Sequence, residues 1–90
     1  MKRKFDNILS INQKLASRLK LRRREAGLSQ KHLAEKAAVS YGSLKRFEQH
    51  GEISLASFIK ILIVLGYEND LNEILTRPNY QTLEDIFHEK

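Results

Sequence analysis

Ser29, Ser40 and Ser54 each stand immediately ahead of a short run whose apolar residues recur at three- and four-residue spacing. A serine hydroxyl there can accept a hydrogen bond from a free N–H of the first turn, so the chain is restricted to short, separately capped helices. Ser29 opens residues 30–37, with Leu33, Ala34 and Ala37 on one side; Ser40 opens 41–49, with Leu44 and Phe47 inward; Ser54 opens 55–65. Ahead of them, residues 12–26 are nearly all good helix formers, with Leu15, Leu19 and Ala26 on one face and Gly27 placed to stop the helix. Gly51 ends the third run. Asn69 or Asp70 starts a short fifth helix through Leu75, Pro78 sits in a connector, and residues 82–89 read as a last helix with Asp85 placed for a capping box. No segment alternates convincingly like a strand. The expected fold is all-α: a compact bundle of about five short helices, plus a short C-terminal helical extension.

Composition narrows the function. Ninety residues allow one domain with a modest core, which dimerisation is expected to complete. There is no cysteine, so neither disulfides nor thiolate metal sites contribute, and a reducing cytoplasm is the natural compartment. His32, His50 and His88 lack the close spacing of structural zinc ligands, and solvated or capping roles fit them better. Lys2, Arg3 and Lys4 imitate the start of an export signal, but Asp6, Asn7, Ser10 and Asn12 interrupt any apolar run. The longest apolar stretch, 61–65, is far below the roughly 20 residues a bilayer requires. No converging nucleophile and base, paired carboxylates or glycine-rich phosphate loop points to catalysis, so no enzyme activity and no cofactor are expected.

Charge is divided by position. Residues 1–46 hold 13 Lys/Arg and 3 Asp/Glu, a net of +10, whereas residues 47–90 hold 3 and 8, a net of −5. Such a block asymmetry favours a nucleic-acid face. A basic membrane-surface helix would need a bulky apolar stripe that this half lacks. The expected division is a basic arm, 1–11, a binding domain, 12–66, and an acidic extension, 67–90, that packs on the domain or on a partner; the charge split itself falls at 46/47, and the bounds of the binding domain are those implied by a family resemblance.

Two short helices joined by a tight turn, the second amphipathic, form a helix-turn-helix, whose second helix enters the DNA major groove. Ala34 lies where the helices cross and a large side chain would hold them apart; Leu33, Val39, Leu44 and Phe47 supply the apolar contacts. The string LSQKHLAEKAAVSYGSLKRFEQHGE resembles the Cro/repressor-type, or xenobiotic-response-element, helix-turn-helix family over residues 12–66, through Leu28-Ser29-Gln30, Leu33-Ala34, Val39-Ser40 and Phe47-Glu48. The resemblance implies a lambda-repressor-like bundle and a sequence-specific transcriptional regulator, a dimeric repressor on a pseudo-palindromic operator. It also implies that Arg23 pairs with Glu48 as a structural ion pair, and that Gln30 donates to a DNA phosphate. Base reading would fall to Tyr41, Gly42, Lys45 and Arg46, with Ser40 and Ser43 nearer the phosphates. Arg46 is the best placed for a guanine, although Lys45 and Arg46 could equally neutralise phosphates.

The chain departs from the family pattern in three places. Ala38 stands where the turn usually has glycine, so a left-handed backbone there would cost roughly 1 kcal/mol. Arg22 replaces a usually apolar residue, and Tyr41-Gly42 is an uncommon reading pair.

In the fourth helix Phe58, Ile59, Leu62 and Leu65 form the expected inner stripe, leaving Ile61, Ile63 and Val64 surplus. Either this helix is buried all round, or the surplus joins Leu71, Ile74 and Leu75 in a two-fold interface. Residues 79–86 resemble the C-terminal part of antitoxins that hold a kinase-like toxin of the high-persistence type, so an autoregulating antitoxin is the alternative function. A protein-binding adaptor that keeps the fold without using DNA is a further alternative.

Overall fold

A computed structural model describes residues 6–79, which form five α-helices: α1 (Asp6–Glu25), α2 (Gln30–Ala37), α3 (Tyr41–His50), α4 (Leu55–Val64) and α5 (Glu68–Glu73). No strand occurs among the described residues.

The three serine caps close as their positions require. Ser29 Oγ accepts the His32 N–H at 3.0 Å, Ser40 Oγ the Ser43 N–H at 3.0 Å, and Ser54 Oγ the Ser57 N–H at 3.1 Å. Each satisfies a donor that the first helical turn leaves free, a contribution of about 1 kcal/mol apiece. Ala38 adopts φ 56° and ψ 41°, the left-handed conformation that the tight turn demands. Its N–H and that of Val39 fold back onto α2 carbonyls, Glu35 and Ala34 respectively. At the end of α3, Gly51 is buried at φ 76°, and a Cβ there would lie 2.9 Å from the Asn12 Cβ and 3.0 Å from its backbone carbonyl carbon. Glycine is thus needed both for the turn and to let the end of α3 touch α1.

The core draws on four helices: Ala16 and Leu19 from α1, Leu33, Ala34 and Ala37 from α2, Leu44 and Phe47 from α3, and Ile61 from α4. Phe47 meets Phe58 edge-on, with ring centroids 5.5 Å apart, an arrangement that aromatic quadrupoles favour. Through these residues α1 packs on α3, and α2 on both α3 and α4, so the two helices of the turn are braced from both sides.

Several expectations are corrected. α1 starts at Asp6, so the second half of the expected basic arm is helical; 7–11 contain neither glycine nor proline to prevent it. Ala26 lies exposed in the turn beyond α1, and Ala16 takes the inner place instead. Ile61 is fully buried and belongs to the core rather than to an interface. The inner stripe of α4 is Phe58, Ile61, Leu62 and Leu65, and Ile59 is rotated towards its edge. α4 is nevertheless not buried all round, since Leu55 and Ile63 are exposed. Val64 is half-buried against the core, which weakens its claim to an interface. The fifth helix begins and ends slightly earlier than expected, leaving Ile74 and Leu75 beyond its end. The expected helix at 82–89, all but the first residue of the antitoxin-like stretch, and Lys2, Arg3 and Lys4 lie outside the described residues. Among the described residues no helix is long and apolar enough to cross a membrane.

Candidate nucleic-acid interface

The outer face of α3 follows from its inner one. With Leu44 and Phe47 buried, positions 42, 45, 46 and 49 share the opposite side, and Gly42, Lys45, Arg46 and Gln49 are all exposed there. These four residues, with His50 and Glu52, line an open polar depression.

What holds this face in place is a buried polar network. Arg23 Nε and one terminal nitrogen donate to the two Glu48 carboxylate oxygens at 2.7 and 2.9 Å, a bidentate pair. The other terminal nitrogen donates to the Leu28 carbonyl at 2.8 Å. The side chains are only 9% and 2% exposed, yet no buried side-chain polar atom among the described residues lacks a partner. The Glu48 hydrogen bonds raise the Arg23 pKa above its already high ordinary value; burial opposes this and the Glu48 charge adds to it. The expected Arg23–Glu48 pair is therefore formed, and it ties α1, the connector after it and α3 together.

Gln30 has an internal partner as well. Its side-chain nitrogen donates to Glu48 at 2.9 Å, so the residue also belongs to the internal network. An amide nitrogen carries two N–H groups, and the second is left for an external acceptor. Ser40 and Ser43 are likewise joined, Ser40 Oγ donating to Ser43 Oγ at 2.6 Å at the start of α3.

Tyr41 is 39% exposed, with Lys31 Nζ 5.5 Å and Lys45 Nζ 5.8 Å from its ring centroid. Gly42 has nothing within 4 Å of where a Cβ would stand, and its φ is not in the left-handed region. No internal contact requires glycine there, although it costs a helix up to about 1 kcal/mol relative to alanine. The open position lets an external surface approach the α3 backbone. Arg46 pairs with Glu52 at 3.1 Å, both more than 60% exposed, a contact weak enough to be exchanged for a ligand.

Sequence reasoning missed Lys31, Gln49 and Glu52. Gln49 was legible, because it lies seven residues after Gly42 on the same helical face. The contact of Lys31 with Tyr41 depends on how α2 crosses α3 and has no local signal.

The remaining expected residues lie elsewhere. Ile63, Ile74 and Leu75 are 44%, 59% and 95% exposed, while Leu71 is half-buried. Between α1 and the α4–α5 pair runs an open, mostly apolar groove of about 570 Å³, walled by Leu15, Leu19, Phe58, Leu62, Leu71 and Ile74. Among the described residues no group of three His, Asp or Glu side chains is placed to hold a metal ion. No protein-family model matches the chain, and no curated protein is significantly similar to it.

Proposed function

We propose that this protein is a sequence-specific DNA-binding transcriptional regulator of the Cro/repressor type, a repressor that inserts α3 into the major groove. The observation that carries the reading is the outward face of α3, where Gly42, Lys45, Arg46 and Gln49 are open to solvent and held rigidly by the Arg23–Glu48–Gln30 network beneath. A short, exposed, basic helix on a braced support has the geometry that base-edge recognition requires. The net +10 of residues 1–46 supplies the attraction to the backbone. Arg46 remains the best placed for a guanine, once it releases Glu52.

One such unit reaches a single half-site, and a few base contacts rarely give the roughly 10⁻⁸ M affinity of a working repressor. A second copy is therefore part of the proposal, seated on the exposed apolar residues Ile63, Ile74 and Leu75 and setting the two α3 helices roughly 34 Å apart. Leu75 favours a protein contact here, since it combines a left-handed φ of 65° with almost complete exposure. In the antitoxin alternative the DNA-binding dimer also holds a toxin through its C-terminal part, so the two readings are compatible, and a toxin that copurifies separates them. Sedimentation of the purified chain alone tests the dimer itself: a strict monomer would leave only assembly on DNA or through a partner.

The DNA reading is tested by titrating duplex affinity against salt. With six to eight phosphates neutralised, log K should fall with log salt at a slope of roughly −5 to −7. A slope near zero would remove DNA as the partner.

A further inference from the structure

We infer that Lys31, Tyr41 and Lys45 form one phosphate-binding unit, in which the Tyr41 ring positions two ammonium groups for the DNA backbone. Tyr41 is the first residue of α3, Lys45 lies one turn further on, and Lys31 comes from the first turn of α2. Their ammonium nitrogens sit 5.5 and 5.8 Å from the same ring centroid, within the range at which the negative face of an aromatic ring attracts a cation. The two charges are consequently no more than about 11 Å apart, and their mutual repulsion is partly screened at physiological salt, where the screening length is about 8 Å. Among the described residues neither lysine has a carboxylate partner, which is equally true of Lys14, Lys20, Lys36 and Lys60; the shared aromatic ring is what sets Lys31 and Lys45 apart.

An exposed pair of like charges, gathered from two helices and left without an internal counter-ion, is matched to an external polyanion. The ring reduces the side-chain freedom that two lysines would otherwise lose on binding. This assignment rests on the DNA reading and refines it. Tyr41 acts through the lysines as a positioning residue rather than reading a base, Lys45 contacts phosphate, and Lys31 joins the interface. Base discrimination is then left to Arg46 and to the open backbone at Gly42.

The test combines duplex binding across a salt series with NMR of the lysine side chains in the free protein, for the wild type, Lys31→Ala, Lys45→Ala, Tyr41→Phe and Tyr41→Leu. Each lysine variant should lower the magnitude of the salt slope by about one. Tyr41→Phe should bind as the wild type does. Tyr41→Leu should keep the slope yet bind roughly three- to tenfold more weakly, because two lysines no longer held by the ring lose more side-chain freedom on binding. Removing Lys31 in the Tyr41→Leu background should then cost less than in the wild type. In the free protein the ε-methylene signals of Lys31 and Lys45 should be ring-current shifted in the wild type and Tyr41→Phe, and return to ordinary positions in Tyr41→Leu. An unchanged slope in Lys31→Ala, or wild-type affinity in Tyr41→Leu, overturns the unit. A wild type whose binding ignores salt overturns the DNA reading and the phosphate role with it, and the NMR shifts then report separately whether the three side chains associate.

Discussion

Replacing Arg23 by alanine removes three hydrogen bonds at once and leaves the Glu48 carboxylate, 2% exposed, with the Gln30 amide as its remaining partner. The Leu28 carbonyl loses its side-chain donor too. Breaking one side of a buried ion pair costs roughly 3 to 5 kcal/mol, because the surviving charge stays desolvated. A domain of this size has a total stability of about 5 to 13 kcal/mol, so the change should remove about a quarter of it or more. At roughly 4 to 8 °C per kcal/mol, the melting temperature should fall by at least about 12 °C. Thermal and urea melts of Arg23→Ala, Glu48→Ala and the double variant measure this directly, with the coupling read from the cycle. Substituting both partners by apolar residues, Arg23→Met with Glu48→Leu, should recover most of the loss, since no unpaired charge is then buried. Because the Arg23 pKa is raised in the folded state, its contribution is fully present at every pH below the ordinary arginine value and is lost only as pH rises beyond it. The stability difference should therefore not fade between neutral and mildly alkaline pH. A melting temperature lowered by less than about 4 °C would refute the reasoning and demote the network to surface decoration.

Ala38→Gly should stabilise the domain by about 1 kcal/mol, since the exposed residue sits at φ 56° and glycine adopts that conformation without a Cβ clash; an unchanged or lower melting temperature would count against it. Glu52→Gln should tighten duplex binding severalfold by freeing Arg46 and removing an acid from the basic face, and an affinity equal to that of the wild type would show that the pair is not in competition with DNA. Arg46→Ala should cost about 1 to 3 kcal/mol on the specific site and relax discrimination at one base pair, whereas equal losses on specific and random duplexes would make Arg46 a phosphate contact. Ile74→Asp should give a folded monomer that keeps weak, salt-sensitive binding but loses operator binding; a dimer that survives the substitution would move the interface elsewhere.

The sequence by itself determined the features whose physics is local. A serine cap and a glycine stop each act over three or four residues, so the bounds of α2, α3 and α4 could be read to within a residue, whereas the left-handed turn at Ala38 was legible only through the family resemblance. The Arg23–Glu48 pair was legible through the family resemblance, and the charge asymmetry directly. Only the tertiary structure decided matters that depend on where one helix lies against another. Ile59 and Ile61 are chemically alike and two residues apart, so periodicity could not choose between them. The direction of the α2 and α3 surface made Ile61 the core residue. Gln30 reads as an exposed helix-start residue until the crossing of α2 and α3 brings Glu48 within 2.9 Å of it, and the same crossing places Lys31 beside Tyr41. Gly51 announces a turn in the sequence, but its contact with Asn12 exists only because α3 ends against α1. Short-range hydrogen bonding sets the elements, and the packing of their faces sets which side chains are left to meet a partner.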